Sequence, residues 1–116
     1  MDDKFSFHYC LELSPLDVFN SHTPELVGVV SDVDSLIAGL ISAGIISEDD
    51  VTTGNGTSSR YQRVDKIMNT VQSCLVKSSN CEEILVKFSI VLKNQNNDAL
   101  KRISTEIRSM LILLTL

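Results

Sequence analysis

Hydrophobic positions recur at helical spacing along most of the chain, most clearly between Ser31 and Val51. There the apolar residues fall at i, i+3, i+4, i+7 and i+8, which is the pattern of one buried stripe on an α-helix. We predict a helix over residues 33–43, with Asp32 as its N-cap and Gly44 ending it in a left-handed conformation. The stripe consists of Val33, Leu36, Ile37, Leu40 and Ile41.

The pattern predicts further helices downstream. A short helix begins near Ser47, which lies three residues before Asp50 in an arrangement close to a capping box. A long helix is expected over 59–76, after a Gly- and Ser-rich loop around 54–56. The next helix starts after Asn80, with Glu83 at its third position as a second capping signal. The last helix carries the apolar residues Leu100, Ile103, Ile107, Met110, Leu111 and Leu114.

The first part of the chain contains two helix-start signals, Ser14-Pro15 and Thr23-Pro24. A proline inside a helix lacks an N–H group and clashes with the preceding turn. Residues 15–30 are therefore predicted to form either two short helices or one helix bent near Pro24. Residues 1–13 are predicted to be an N-terminal arm that precedes a domain at 14–116.

Six helices joined by short connections, without a convincing pair of strands, predict an all-α antiparallel six-helix bundle. The length of 116 residues fits one domain. No apolar run approaches the roughly 18–20 residues that a membrane span needs, and the first residues lack the features of a signal peptide. Three cysteines without a CxxC motif favour free thiols in a reducing compartment. We therefore expect a cytoplasmic protein that does not bind a membrane.

The sequence lacks the motifs of known catalytic and ligand-binding chemistry. The two histidines, His8 and His22, have no metal-ligand spacing to the cysteines, and no phosphate-binding loop occurs. A net charge of −5 argues against a nucleic-acid partner, because phosphate binding needs a basic surface. We expect no catalytic residue, no cofactor and no metal ion, and a protein that is not an enzyme.

Charged residues form two groups that rise above the background. Arg60, Arg63 and Lys66 are spaced at i, i+3 and i+6, which makes a basic ridge on the long helix. The basic ridge and a second, acidic group of residues are either ordinary solvated faces or opposite-sign patches on different faces of the domain. In the second case the surface is complementary head to tail, which builds rings or filaments. The acidic group consists of Asp32, Asp34, Glu48, Asp49 and Asp50.

Three stretches carry a resemblance to a known family. The chain from Leu26 to Val51 resembles the first three helices of a caspase-recruitment domain (CARD). The run from Thr57 to Met68 resembles that family's entry into its fourth helix, and Ile84 to Leu92 resembles its fifth. The likeness covers roughly residues 16–110. It implies a death-fold Greek-key bundle of six helices with a bent first helix.

The resemblance also implies homotypic CARD–CARD binding in apoptotic or innate immune signalling. The expected partners are other CARD-containing proteins and copies of the chain itself in a helical oligomer or filament. In the family, an acidic surface on the second and third helices meets a basic surface on the first and fourth. Residues 15–30 contain no Lys or Arg, so the acidic group is the stronger half, suited to accept a more basic CARD. Two alternatives stay open: a stand-alone decoy or regulator of CARD assemblies, and a death-effector or pyrin-like module.

Overall fold

A computed structural model describes residues 14–51 and 59–115. This part of the chain is helical without strands, which confirms the prediction of an all-α protein for these residues. The predicted arm at 1–13 and the predicted loop around 54–56 lie outside the described residues. The helices are α1 (Pro15–Val29), α2 (Val33–Ser42), α3 (Glu48–Val51), α4 (Arg60–Lys77), α5 (Cys81–Lys93) and α6 (Asp98–Thr115).

Helices α1 and α5 form the centre of the packing. Helix α1 contacts α4, α5 and α6, while α5 contacts α1, α2, α4 and α6. Phe19 of α1 and Phe88 of α5 are fully buried, and their rings meet edge to face with centroids 5.3 Å apart. Such aromatic pairs add about 0.5–1.5 kcal/mol beyond the burial of their area. The remaining core is made mainly of Leu, Ile and Val side chains from the predicted stripes.

Helix α1 runs without a break through Pro24. Of the two predicted alternatives, the structure therefore has one helix rather than two short ones. Residue 24 has no N–H to offer the carbonyl of Asn20, and the hydroxyl of Thr23 donates to that carbonyl instead, at 3.0 Å. The polar residue before the proline thus restores the hydrogen bond that the proline removes.

Several helix ends follow the predicted capping chemistry. The Asp32 side chain accepts from the N–H of Ser35 at 3.1 Å at the start of α2. Gly44 has a φ of +78°, the left-handed conformation that a glycine adopts without steric cost. Ser59 and Gln62 form a reciprocal capping box at the start of α4, which the prediction of that helix did not specify. These short-range signals place the ends of α2 and the start of α4.

The predicted N-cap position of α5 is correct, but the predicted capping hydrogen bonds are absent. Asn80 occupies the N-cap position, but its side chain makes no capping hydrogen bond. Glu83 does not return to the Asn80 N–H and instead lies 3.7 Å from the ammonium group of Lys87, one turn further along. The Asn80 N–H donates to the hydroxyl of Ser78 at 2.9 Å. This local bond takes the place of the predicted capping box.

Asn97 joins two helix ends that are distant in sequence. Its Oδ1 accepts from the N–H groups of Ala99 and Leu100, at 2.9 and 3.2 Å, in the first turn of α6. Its Nδ2 donates to the carbonyl of Val29 at 3.0 Å, at the end of α1. One half-buried amide therefore satisfies an N-terminus and a C-terminus together.

A polar seam continues this contact along α1 and α6. Arg102 donates to Glu25 on α1 and to Glu106 on its own helix, the latter at 2.8 Å. The hydrogen bonds to Glu25 and Glu106 raise the pKa of Arg102 above its ordinary value. His22 is buried beside this pair, with Nδ1 2.8 Å from the Val18 carbonyl and Nε2 3.4 Å from Glu106. The seam therefore holds α6 against α1 by polar contacts as well as by packing.

A helix that spans a membrane must be both long and apolar. None of the helices within 14–51 and 59–115 is long and apolar enough to cross a bilayer.

Candidate interaction surface

The five acidic residues singled out in the sequence lie on α2, on α3 and at the position just before α2. All five are exposed. Two of them also form hydrogen bonds at helix starts: Asp32 caps α2, and Asp50 accepts from the N–H of Ser47 at 2.9 Å. Asp34 and Glu48 lie in the first turns of α2 and α3, where a negative charge suits the helix dipole. The acidic face, defined as Asp32, Asp34, Glu48, Asp49 and Asp50, is thus an exposed surface built on two helix starts.

The predicted basic ridge is partly engaged with the same chain. Nη2 of Arg63 lies 2.7 Å from Oδ1 of Asp34, so the structure brings one predicted basic residue and one predicted acidic residue together. Arg60 donates to the carbonyl of Val30, which follows the last turn of α1. Lys66 is exposed further along α4. The two charged groups therefore meet where α4 begins, beside the first turn of α2.

The Arg63–Asp34 pair is open to solvent. The Arg63 side chain is 39% exposed and that of Asp34 is 82% exposed. An ion pair in such a position contributes about 0–1 kcal/mol, because water and salt screen it and two side chains lose freedom. A partner that supplies another cation to Asp34 therefore competes with a weak internal contact.

Helix α1 contains no Lys or Arg and therefore adds no such cation to this region. It borders a polar cleft together with α4. The cleft has a volume of about 320 Å³. The residues of α4 that face it include Tyr61, Asp65 and Asn69, which the charge-based prediction did not single out. They are spaced at i, i+4 and i+8, a signal visible in the sequence. Only the packing of α1 against this side of α4 turns that signal into a concave site.

A second groove lies between α2 and α5 and has a volume of about 350 Å³. Small residues at the end of α2 and just after it, Gly39, Ser42 and Ala43, form one wall. Ile90, which is 41% exposed, and Lys87 belong to the other. The small side chains let the two helices approach closely and leave an apolar depression at the surface.

The cysteines and the other potential metal ligands form no common site in the described part of the chain. Cys74 and Cys81 are half-buried free thiols, and the Cys81 thiol donates to the Leu75 carbonyl at 2.7 Å. Within the part of the chain that the structure describes, no three His, Cys, Asp or Glu side chains are grouped so as to hold a metal ion. Comparison of the chain with protein families, with curated proteins and with solved structures gives no significant match.

Proposed function

We propose that the chain is a non-enzymatic protein-interaction module of the CARD type, which binds other CARDs through its acidic face. The proposal includes the death-fold Greek-key arrangement of the helices. Two observations support it: the resemblance of residues 16–110 to that family and the all-helical architecture of the described residues. Its setting is apoptotic or innate immune signalling in the cytoplasm, where thiols such as Cys74 and Cys81 stay reduced.

One observation carries the proposal: the acidic face already binds a guanidinium group. Arg63 of the same chain forms an ion pair with Asp34. Glu48, in the next helix α3, is exposed. An arginine or lysine on a basic CARD takes the place of Arg63 and extends the contact to α3. Because each exposed pair contributes about 0–1 kcal/mol, specificity arises from several such contacts repeated within an assembly.

The test reverses charge on the acidic face without removing its caps. Glu48→Lys with Asp49→Lys leaves Asp32 and Asp50 in place to cap α2 and α3. The matched control is Glu82→Lys with Glu83→Lys, which makes the same change in net charge at the start of α5. Circular dichroism checks that both variants keep their helicity.

Two readouts decide the outcome. Pull-down with a panel of CARD, death-effector and pyrin-like domains measures partner choice, and electron microscopy at rising concentration measures filament formation. We expect the α3 variant to lose CARD binding and assembly while the α5 control retains both. Unchanged binding and assembly in the α3 variant would contradict the proposal.

A second candidate function, a regulator that caps CARD assemblies, is favoured by the internal contacts of the basic ridge. Arg60 and Arg63 are both engaged by their own chain, at Val30 and Asp34. A module that offers an acidic face while its arginines are occupied joins one end of an assembly and does not extend it. Adding the chain to a polymerising CARD distinguishes the two functions. A regulator shortens the filaments, whereas an adaptor seeds more of them.

A further inference from the structure

The cleft between α1 and α4 is lined by hydrogen-bonding side chains above a buried apolar floor. Phe19, Val27 and Met68 form that floor. Gln72 Nε2 donates to Asn20 Oδ1 at 2.9 Å, which bridges the two helices at the cleft. The bridge and the packed floor give the cleft a fixed shape.

The α4 wall of the cleft presents three side chains that the fold does not use. Tyr61, Asp65 and Asn69 are all exposed, and Tyr61 has 61% of its surface accessible to solvent. Within residues 14–51 and 59–115, none of these three side chains makes a hydrogen bond or an ion pair. Their helical neighbours Arg60 and Arg63 are turned to other partners, at Val30 and Asp34.

The chemistry of the lining selects a cation. It offers the carboxylate of Asp65, the aromatic ring of Tyr61 and the amide oxygen of Asn69, and none of the residues that line the cleft is Lys or Arg. A guanidinium group matches this set, because it pairs with a carboxylate, donates to amide oxygens and stacks on an aromatic face. A lysine ammonium lacks the planar surface for stacking.

We propose that the α1–α4 cleft binds an arginine side chain of a partner protein. This site is separate from the acidic face on α2 and α3, and it does not depend on the CARD-type function. It gives the chain a second point of contact with a basic partner, on the helix pair where the CARD resemblance would place a basic surface.

The test titrates the full chain with a minimal ligand. The probe is the capped peptide acetyl-Gly-Arg-Gly-amide, and the matched control replaces arginine with citrulline, which has the same shape without the charge. Two-dimensional ¹H–¹⁵N NMR follows the backbone amides. We expect saturable shifts, in the millimolar range of peptide, at residues 20–23 and 61–72, and no saturation with the citrulline peptide.

Two pairs of variants assign the binding to the proposed groups. Asp65→Asn should weaken binding about fivefold, as expected for one exposed ion pair. Asp98→Asn makes the same substitution at an exposed position on α6 and should leave the affinity unchanged. Tyr61→Leu should weaken binding about two- to fivefold, while Tyr61→Phe keeps the ring face and stays close to the wild type.

Three results would overturn the inference. Citrulline and arginine peptides could bind equally, Asp65→Asn could bind as the wild type does, or the shifts could fall only on α2 and α3. The last result would exclude the cleft and still support the acidic face as an arginine-binding surface. Absence of CARD binding in the pull-down leaves the peptide titration unaffected, so the two proposals fail separately.

Discussion

Arg63 on α4 and Asp34 on α2 form an ion pair across two helices, with Nη2 and Oδ1 2.7 Å apart. The two residues are 29 positions apart in the chain. The pair joins the basic ridge to the acidic face within one molecule. The two charged surfaces are therefore partly engaged with each other, and the strength of this one contact determines how readily they separate.

We predict that the Arg63–Asp34 pair is weak. In a double-mutant cycle with Arg63→Ala and Asp34→Ala, the coupling energy should be below about 1 kcal/mol, because both side chains are solvated. It should fall further between 0.05 and 0.5 M salt, on the order expected for screened surface charges. Urea denaturation of the four proteins measures the coupling. A coupling of about 3 kcal/mol would show instead that the pair is a main support of the fold.

We predict that Asn97 contributes much more to stability than Asn80, although both precede a helix. Asn97→Ala removes two capping bonds to α6 and one bond to the Val29 carbonyl, and should cost about 2 kcal/mol of unfolding free energy. Asn80→Ala removes no side-chain capping bond and should cost less than about 0.5 kcal/mol.

Chemical denaturation measures both asparagine variants, and Asn97→Asp separates the two roles of the amide. Aspartate keeps the acceptor that caps α6 but loses the N–H that reaches Val29. Its unfolding free energy should therefore lie between those of the wild type and Asn97→Ala. Equal losses in Asn97→Ala and Asn80→Ala would contradict the assignment.

We predict opposite effects for alanine at Gly39 and Gly28. A Cβ at Gly39 would lie 2.9 Å from Cγ1 of Val91, a stiff branched side chain on α5, so the close approach of α2 and α5 requires glycine. Gly39→Ala should cost about 1–3 kcal/mol through overpacking. Gly28 is exposed in α1 with nothing within 4 Å of its Cβ position. Gly28→Ala should therefore stabilise the protein by about 0.5–1 kcal/mol.

Thermal or urea unfolding checks the glycine pair, and a compensating substitution tests the mechanism. Val91→Ala should reduce the cost of Gly39→Ala, because it removes the methyl group that the new Cβ meets. Val91→Ala alone leaves a small cavity and should destabilise the chain. A Gly39→Ala variant as stable as the wild type would show that α2 can shift without penalty.

The helices and most of their starts could be predicted from sequence because their signals act over three or four residues. Asp32 and Gly44 each act on groups within one turn, and their roles were readable in advance. Asn80 carried the same kind of signal as a functioning cap, yet its side chain does not bond. The choice between a side-chain cap and a local turn at Ser78 depends on geometry that residue types alone do not fix.

The candidate sites depended on contacts that residue spacing within one helix cannot show. The charges of the acidic face were visible from the sequence, but the engagement of Arg63 with Asp34 needed the placement of α4 beside α2. Tyr61, Asp65 and Asn69 share one side of α4, and only the neighbouring residues of α1 enclose them in a cleft. Their place in a candidate site therefore became apparent from the tertiary arrangement and not from charge.

The seam between α1 and α6 has a consequence for how the chain folds. Asn97 and Val29 are 68 residues apart, and Arg102 and Glu25 are 77 apart, so these bonds close long loops. Loop closure costs entropy before such contacts give any stabilisation. We expect the α1–α6 seam to form after the main barrier, so that substitutions at Asn97 and Arg102 accelerate unfolding and leave the refolding rate nearly unchanged.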